Sequence, residues 1–108
     1  MLIKKLNLRL NEKVLANVAA NMFRDIEGVG GKLRVTNQRL LFEPHLLNLQ
    51  NKPEAILLKD VKSASKRMTL LFIPNGMLVT MKSGKEHKFV LWSREKIIGL
   101  INEQIKNI

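Results

Sequence analysis

The stretch from Gly30 to Pro44, GGKLRVTNQRLLFEP, limits the fold more than any other part of the chain. Leu33 and Val35 alternate with polar residues, and Leu40 and Phe42 do the same after a short polar break. That alternation is the pattern of two half-buried strands. With Asn37-Gln38 as a two-residue loop, Val35 stands opposite Leu40, Leu33 opposite Phe42, and Lys32 opposite Glu43 on the wet face. Asn tolerates the left-handed backbone that such a turn favours, so the loop is expected at Asn37.

Other segments carry weaker signals of the same kind. Asn7 to Leu10 alternates. Glu12 to Phe23 reads as extended, although the small residues Ala16 to Ala20 also suit a helix. Arg24 to Gly31 reads as a loop holding Gly28, Gly30 and Gly31. Pro44 closes the first hairpin, because it cannot donate to a central ladder. His45 to Pro53 is an irregular connection, Glu54 to Leu58 a short strand, and Lys59-Asp60 a turn. Val61 to Arg67 is a polar strand suited to a sheet edge. Leu70 to Ile73 is an apolar run of strand length, and Pro74-Asn75-Gly76 is a strong turn signal.

Gly76 to Leu91 forms a second hairpin whose register follows from its apolar faces. A two-residue Ser83-Gly84 loop sets Val79 against Lys88. A three-residue loop, Lys82-Ser83-Gly84 with Gly84 left-handed, sets Met77 against Phe89 and Val79 against His87. A one-residue slip turns every side chain over, so the apolar faces select the three-residue loop. Leu78 and Val90 then point outward. Ser93 is the expected N-cap of a final helix, with Glu95 in its first turn. Ile97, Ile101, Ile105 and Ile108 form its apolar stripe. Gly99 is expected where that helix crosses close to a strand.

Charge and chemistry narrow the function. The chain has 108 residues, with 19 Lys and Arg against 9 Asp and Glu, for a net charge of +10. That balance attracts anionic surfaces, although the basic residues are scattered. Without cysteine there is no disulfide framework, thiol nucleophile or thiolate metal site. His45 and His87 lack metal-ligand spacing and are expected to be structural. No serine sits in a nucleophile motif, and Gly28-Val29-Gly30-Gly31 lacks the Gly-Lys-Ser/Thr ending of a phosphate loop. Phe23, Phe42, Phe72, Phe89 and Trp92 have mostly core-like parities, which argues against a stacking platform for nucleic acid. Thus no enzyme, cofactor or metal is expected. No apolar run approaches the roughly 20 residues of a membrane span, and Met1 to Leu6 does not resemble a signal peptide. A cytoplasmic protein is expected.

The motif order resembles the GRAM domains, a branch of the pleckstrin-homology-like folds, whose hairpin runs Gly-x-Leu-x-x-Thr-Asn-x-Arg-Leu-x-Phe. The likeness continues through Leu58-Lys59-Asp60-Val61, Pro74-Asn75-Gly76-Met77, Lys82-Ser83-Gly84-Lys85 to Phe89, and the helix after Trp92. It covers Glu12 to Ile105 within one domain of residues 1–108. Ala64 stands where a larger apolar residue is usual, and Leu2 to Leu10 have no clear counterpart. The resemblance implies a mainly β, seven-stranded barrel or sandwich of two antiparallel sheets, capped by a C-terminal helix, with residues 12–23 as strand. It also implies a non-enzymatic binding module. A short stand-alone chain of this kind looks bacterial, where phosphoinositides are not the expected ligand.

The leading expectation is peripheral attachment to anionic lipid at the inner membrane face. The candidate contacts are Arg24, Lys32, Arg34, Arg39, Lys62, Lys66, Lys82 and Lys85. Leu46, Leu47 and Leu49 form a candidate apolar loop. Of these, Arg34 and Arg39 are expected to be free beside the turn, with Lys32 and Glu43 offsetting each other. The alternative is a protein-interaction or self-association module, including a homodimer, using the Val61 to Arg67 edge and an outward patch of Leu41, Leu78 and Val90.

Overall fold

The alternation that defines the first hairpin continues around the molecule. The computed structural model describes residues 6–24, 27–47, 51–67 and 75–108. Its strands are β1 (Val14–Arg24), β2 (Glu27–Thr36), β3 (Arg39–Pro44), β4 (Glu54–Leu57), β5 (Val61–Arg67), β6 (Gly76–Met81) and β7 (Glu86–Leu91). A 3-10 turn, Leu58–Asp60, joins β4 to β5, and helix α1 (Arg94–Lys106) follows β7. The run Leu70 to Ile73 lies outside the described residues.

All seven strands belong to one antiparallel sheet in the order β4-β3-β2-β1-β7-β6-β5, which is not closed. The expected two sheets are therefore joined. Their hinge is β1, whose first part pairs with β2 from Val14 opposite Thr36, and whose later residues Ala20, Asn21 and Met22 also pair with β7. Small side chains along Ala16 to Ala20 let a long strand curve between two neighbours. The ladder slips at Leu15 in β1 and at Lys62 in β5, two bulges of the kind that bend and twist a sheet.

Both expected registers are observed. Leu33 pairs with Phe42 and Val35 with Leu40, while Met77 pairs with Phe89 and Val79 with His87. Gly84 has a φ of 94°, as the three-residue loop requires. The inward side chains, including Leu33, Val35, Leu40, Phe42, Met77, Val79 and Phe89, are buried in one cluster with Ile97 and Ile101 of α1. Phe42 and Phe89 meet edge to face, their ring centres 6.3 Å apart.

The glycine-rich segment is not a loop. β2 begins at Glu27, and Gly28, Gly30 and Gly31 pair with Phe23, Asn21 and Ala20 of β1. Glycine is needed at Gly31 because a Cβ there would run into the Glu43 carbonyl oxygen and lie 2.7 Å from Pro44 Cα. The first turn also departs from expectation. Among the described non-glycine residues only Asn11 and Ser93 have positive φ, so Asn37 is not left-handed. The Thr36 hydroxyl holds this turn instead, accepting from Gln38 N at 3.0 Å and Arg39 N at 2.8 Å.

The helix stripe is only partly buried. Ile97 and Ile101 are in the core, Ile105 packs at its margin, and Ile108 lies beyond the helix end and is exposed. Ser93 is the N-cap residue but makes no side-chain cap bond, since its φ is 60°. Asn102 closes part of the sheet edge: its Oδ1 accepts from Ala64 N, and its Nδ2 donates to Ala64 O, both at 2.9 Å. Gly99 is exposed, and a Cβ there would meet nothing within 4 Å, so no close crossing explains it. Replacing Gly99 by Ala is expected to stabilise the fold by about 0.5–1 kcal/mol. Gly31→Ala should destabilise it by about 1–3 kcal/mol. Chemical denaturation of the two variants checks both signs.

Candidate functional site

Arg34 and Arg39 were the expected free cations, and the structure places both inside. Each is nearly buried beneath the segment from Leu6 to Glu12, which crosses the outer face of β2 and β3. Arg34 Nε and Nη2 donate to the two carboxylate oxygens of Glu43, each at 2.7 Å. Arg39 does the same to Glu12, Nε to Oε2 at 2.9 Å and Nη2 to Oε1 at 2.7 Å. The Cα register does set Lys32 opposite Glu43, but the Glu43 carboxylate goes to Arg34 and the Leu6 N–H. Arg's planar fork matches a carboxylate at two points, which lysine's ammonium cannot do. Leu41, expected outward, shares the Arg34 side of the sheet and is fully buried there.

The same network pins the covering segment. Arg34 Nη2 donates to Leu6 O at 2.7 Å and Arg39 Nη2 to Asn7 O at 2.9 Å. Thr36 Oγ1 donates to Glu12 Oε2 at 2.6 Å. Asn37 Nδ2 donates to Asn11 O, and Gln38 Nε2 to Leu10 O. The Thr-Asn-x-Arg motif is therefore a clamp on the chain before β1. Chiefly the hydrogen bonds from Arg39, opposed by burial and aided by Thr36, hold the Glu12 carboxyl at about 2, well below 4.5. Glu12 in turn raises the pKa of Arg39.

The remaining candidates divide into engaged and free. Arg24 Nη2 donates to Lys52 O at 2.6 Å, lies 4.0 Å from Glu54, and its guanidinium sits 5.9 Å from the Phe42 ring centre. It covers one end of the core rather than facing a partner. Lys66 Nζ donates to Glu95 Oε1 at 2.6 Å on the exposed side of α1. Lys62, Lys82 and Lys85 are exposed, Lys32 is half-buried, and none has an acidic partner among the described residues. Lys62 occupies the β5 bulge. Lys82 N donates to Asp60 O at 2.8 Å, so the β6–β7 turn sits against the 3-10 turn and brings Lys59, Lys62 and Lys82 to one region.

A cleft of about 280 Å³ opens near Arg24, between β1, β4 and the β6–β7 turn, and is lined also by Glu54, Lys85, Glu86 and His87. Its charges are mixed. Burial pushes the His87 imidazole down, against the pull of Glu54 3.4 Å away. Trp92 was expected to favour the core but is 78% exposed. It borders a second cleft, of about 190 Å³, in which His45 Nδ1 and Asn75 Oδ1 are buried without a hydrogen-bond partner. Leu47 is 87% exposed and Leu46 partly so; Leu49 lies outside the described residues. No group of three or more His, Cys, Asp or Glu gathers among the described residues. No helix among them is long and apolar enough to cross a membrane.

Residues 3–108 match the family model described as the GRAM domain. The chain belongs to the GRAM domain family. The match reaches residue 3, so the segment before β1, which carried no recognisable counterpart in the sequence, is part of the family domain. No curated protein sequence matches the chain. The fold is shared with the Vps36 N-terminal PH domain, with a TM-score of 0.75, 14% identity, and 94% of this chain and 84% of that one covered. The C-terminal domain of an unknown protein from Leishmania infantum gives a TM-score of 0.74 at 16% identity, with 87% and 84% covered. The Slm1-PH domain in complex with inositol-4-phosphate gives 0.60 at 10% identity, with 85% and 94% covered.

The clamp gives the GRAM domain an acid-sensitive component. Because the Glu12 pKa is lowered on folding, its contribution is complete above about 4.5 and is lost as pH falls toward about 2. Glu12→Gln is expected to lose about 3–5 kcal/mol at neutral pH, the cost of leaving Arg39 buried without its carboxylate. Its stability should also vary less between pH 5 and pH 2 than that of the wild type, as denaturant midpoints across that range would measure.

Proposed function

We propose that residues 1–108 form one non-enzymatic binding module that attaches peripherally to anionic lipid at the inner membrane face. The observation that carries this reading is the division of the charges. The Arg34–Glu43 and Arg39–Glu12 pairs cancel internally, so the excess of basic over acidic residues is left to other side chains. It is displayed largely by lysines, of which Lys62, Lys82 and Lys85 lie on or beside the turns next to Asp60 and lack acidic partners among the described residues. Such cations near an anionic leaflet contribute about 1 kcal/mol each. Lys32 adds a further charge on the outer face of β2. The Slm1-PH domain, a structural neighbour, was crystallised with inositol-4-phosphate, which supports an anionic headgroup as the ligand class.

A protein-interaction or self-association module remains the competing reading, with β5 as its docking edge. Asn102 already occupies both backbone groups of Ala64 in the middle of that edge, and Leu41 is buried rather than part of an outward patch. Both observations favour lipid. Sedimentation with phosphatidylserine-containing vesicles tests the choice. Binding is expected at low ionic strength, weakening as salt screens the lysines. The combined Lys62→Glu, Lys82→Glu and Lys85→Glu variant should bind on the order of a hundredfold more weakly. No binding at low salt, or binding indifferent to salt and to these reversals, would overturn the reading.

A further inference from the structure

We propose that the turn Arg9-Leu10-Asn11-Glu12 is an apolar membrane anchor, with Leu10 inserting between the headgroups of an anionic leaflet. This rests on the lipid reading above and names the face that docks. Leu10 is 86% exposed. A scattered exposed leucine is ordinary, but this one stands on a turn that is fixed from every side. Glu12 N donates to Arg9 O at 3.1 Å, and Arg9 N donates to Glu12 Oε1 at 2.8 Å. Gln38 Nε2 holds Leu10 O at 2.9 Å, and Asn37 Nδ2 holds Asn11 O at 3.0 Å. Asn11 supplies the positive φ of 61° that the turn uses. The buried Glu12–Arg39 pair anchors the whole arrangement. The backbone of the turn is thus held by the fold, while the leucine side chain is left exposed.

Charge selects the occupant. Arg9, Lys13 and Lys59 are exposed and have no acidic partner among the described residues. Arg9 and Lys59 line a cleft of about 220 Å³ with Asn37, Gln38, Leu57 and Ile108. Ile108, 65% exposed, adds a second apolar side chain there. Asp60 is an exposed acid beside Lys59, outnumbered by these cations. Hydrogen bonds link this turn to the lysines already described: Gln38 holds Leu10 O, Leu58 N donates to Gln38 O at 3.0 Å, and Lys82 N donates to Asp60 O at 2.8 Å. The leucine turn, the β2–β3 turn, the 3-10 turn and the β6–β7 turn are therefore linked in series, each to the next. An apolar tip among unpaired cations fits the boundary between acyl chains and anionic headgroups.

Two variants test the anchor on vesicles of phosphatidylcholine with about 30% phosphatidylserine. Leu10→Glu should bind at least about tenfold more weakly while melting as the wild type does, because the side chain is exposed. The second places the sole tryptophan on the turn, Leu10→Trp in a Trp92→Phe background. Its emission should shift to the blue when vesicles are added at low salt. Wild-type affinity in Leu10→Glu, or unshifted emission with vesicles, overturns the anchor. If charge reversal at Lys62, Lys82 and Lys85 abolishes binding while Leu10→Glu retains it, the lipid reading stands and the anchor falls. If the wild type does not sediment at all, both fall. A blue shift that follows protein concentration rather than vesicles assigns the turn to a second copy of the chain and overturns the anchor.

Discussion

The bidentate pair between Arg39 and Glu12 is the interaction on which the outer face of this GRAM domain depends. It joins a strand of the first hairpin to a segment that precedes β1, bridging residues far apart in the chain. A buried ion pair is tolerable only when its remaining hydrogen-bonding groups are also satisfied. Here Thr36, the Arg9 N–H and the Asn7 carbonyl complete it. Arg34 and Glu43 repeat the arrangement one step away, with Leu6 supplying both a donor and an acceptor. Together they convert what would be a wet sheet face into a second, polar interior. Leu41 is buried as a consequence.

That interior separates two kinds of basic residue. The arginines of the first hairpin are structural, held by carboxylates that match their fork geometry. Lys62, Lys82 and Lys85 are exposed instead, without a carboxylate to hold them among the described residues. Arg24 belongs with the structural group, since Lys52 O, Glu54 and the Phe42 ring occupy it. The polar interior also holds the backbone at Leu10, whose side chain is left exposed.

Much of the fold could be read along the chain. Alternation and turn length were enough for both hairpin registers, because shifting either by one residue would have turned Leu33 or Phe89 out of the core. The loop reading of Arg24 to Gly31 failed for a physical reason: glycine signals flexibility locally, but Gly31 is needed for the close approach of Glu43 and Pro44 on the neighbouring strand. Asn37 misled similarly. Its side chain serves the preceding segment, while Thr36 holds the turn. Gly99 has no steric explanation in the structure. Of the candidate site, Lys62, Lys82 and Lys85 could be recognised as surface residues from sequence, whereas Arg34 and Arg39 could not be recognised as buried. A period-two pattern tells which residues share a face, but not whether another segment will cover it.

By itself, the sequence determined the pairing of each hairpin, the inward faces of those strands and the net positive charge. These depend on side-chain alternation, turn length and composition, all of which are local or additive. Only the tertiary structure decided that β1 would join all strands into one sheet, that Asn102 would occupy the β5 edge, and which cations would be spent internally. The deciding contacts link residues such as Glu12 and Arg39 or Ala64 and Asn102, which are remote in the chain. Whether an arginine meets a carboxylate or water depends on what the fold lays over it, and no pattern within the hairpin contains that information.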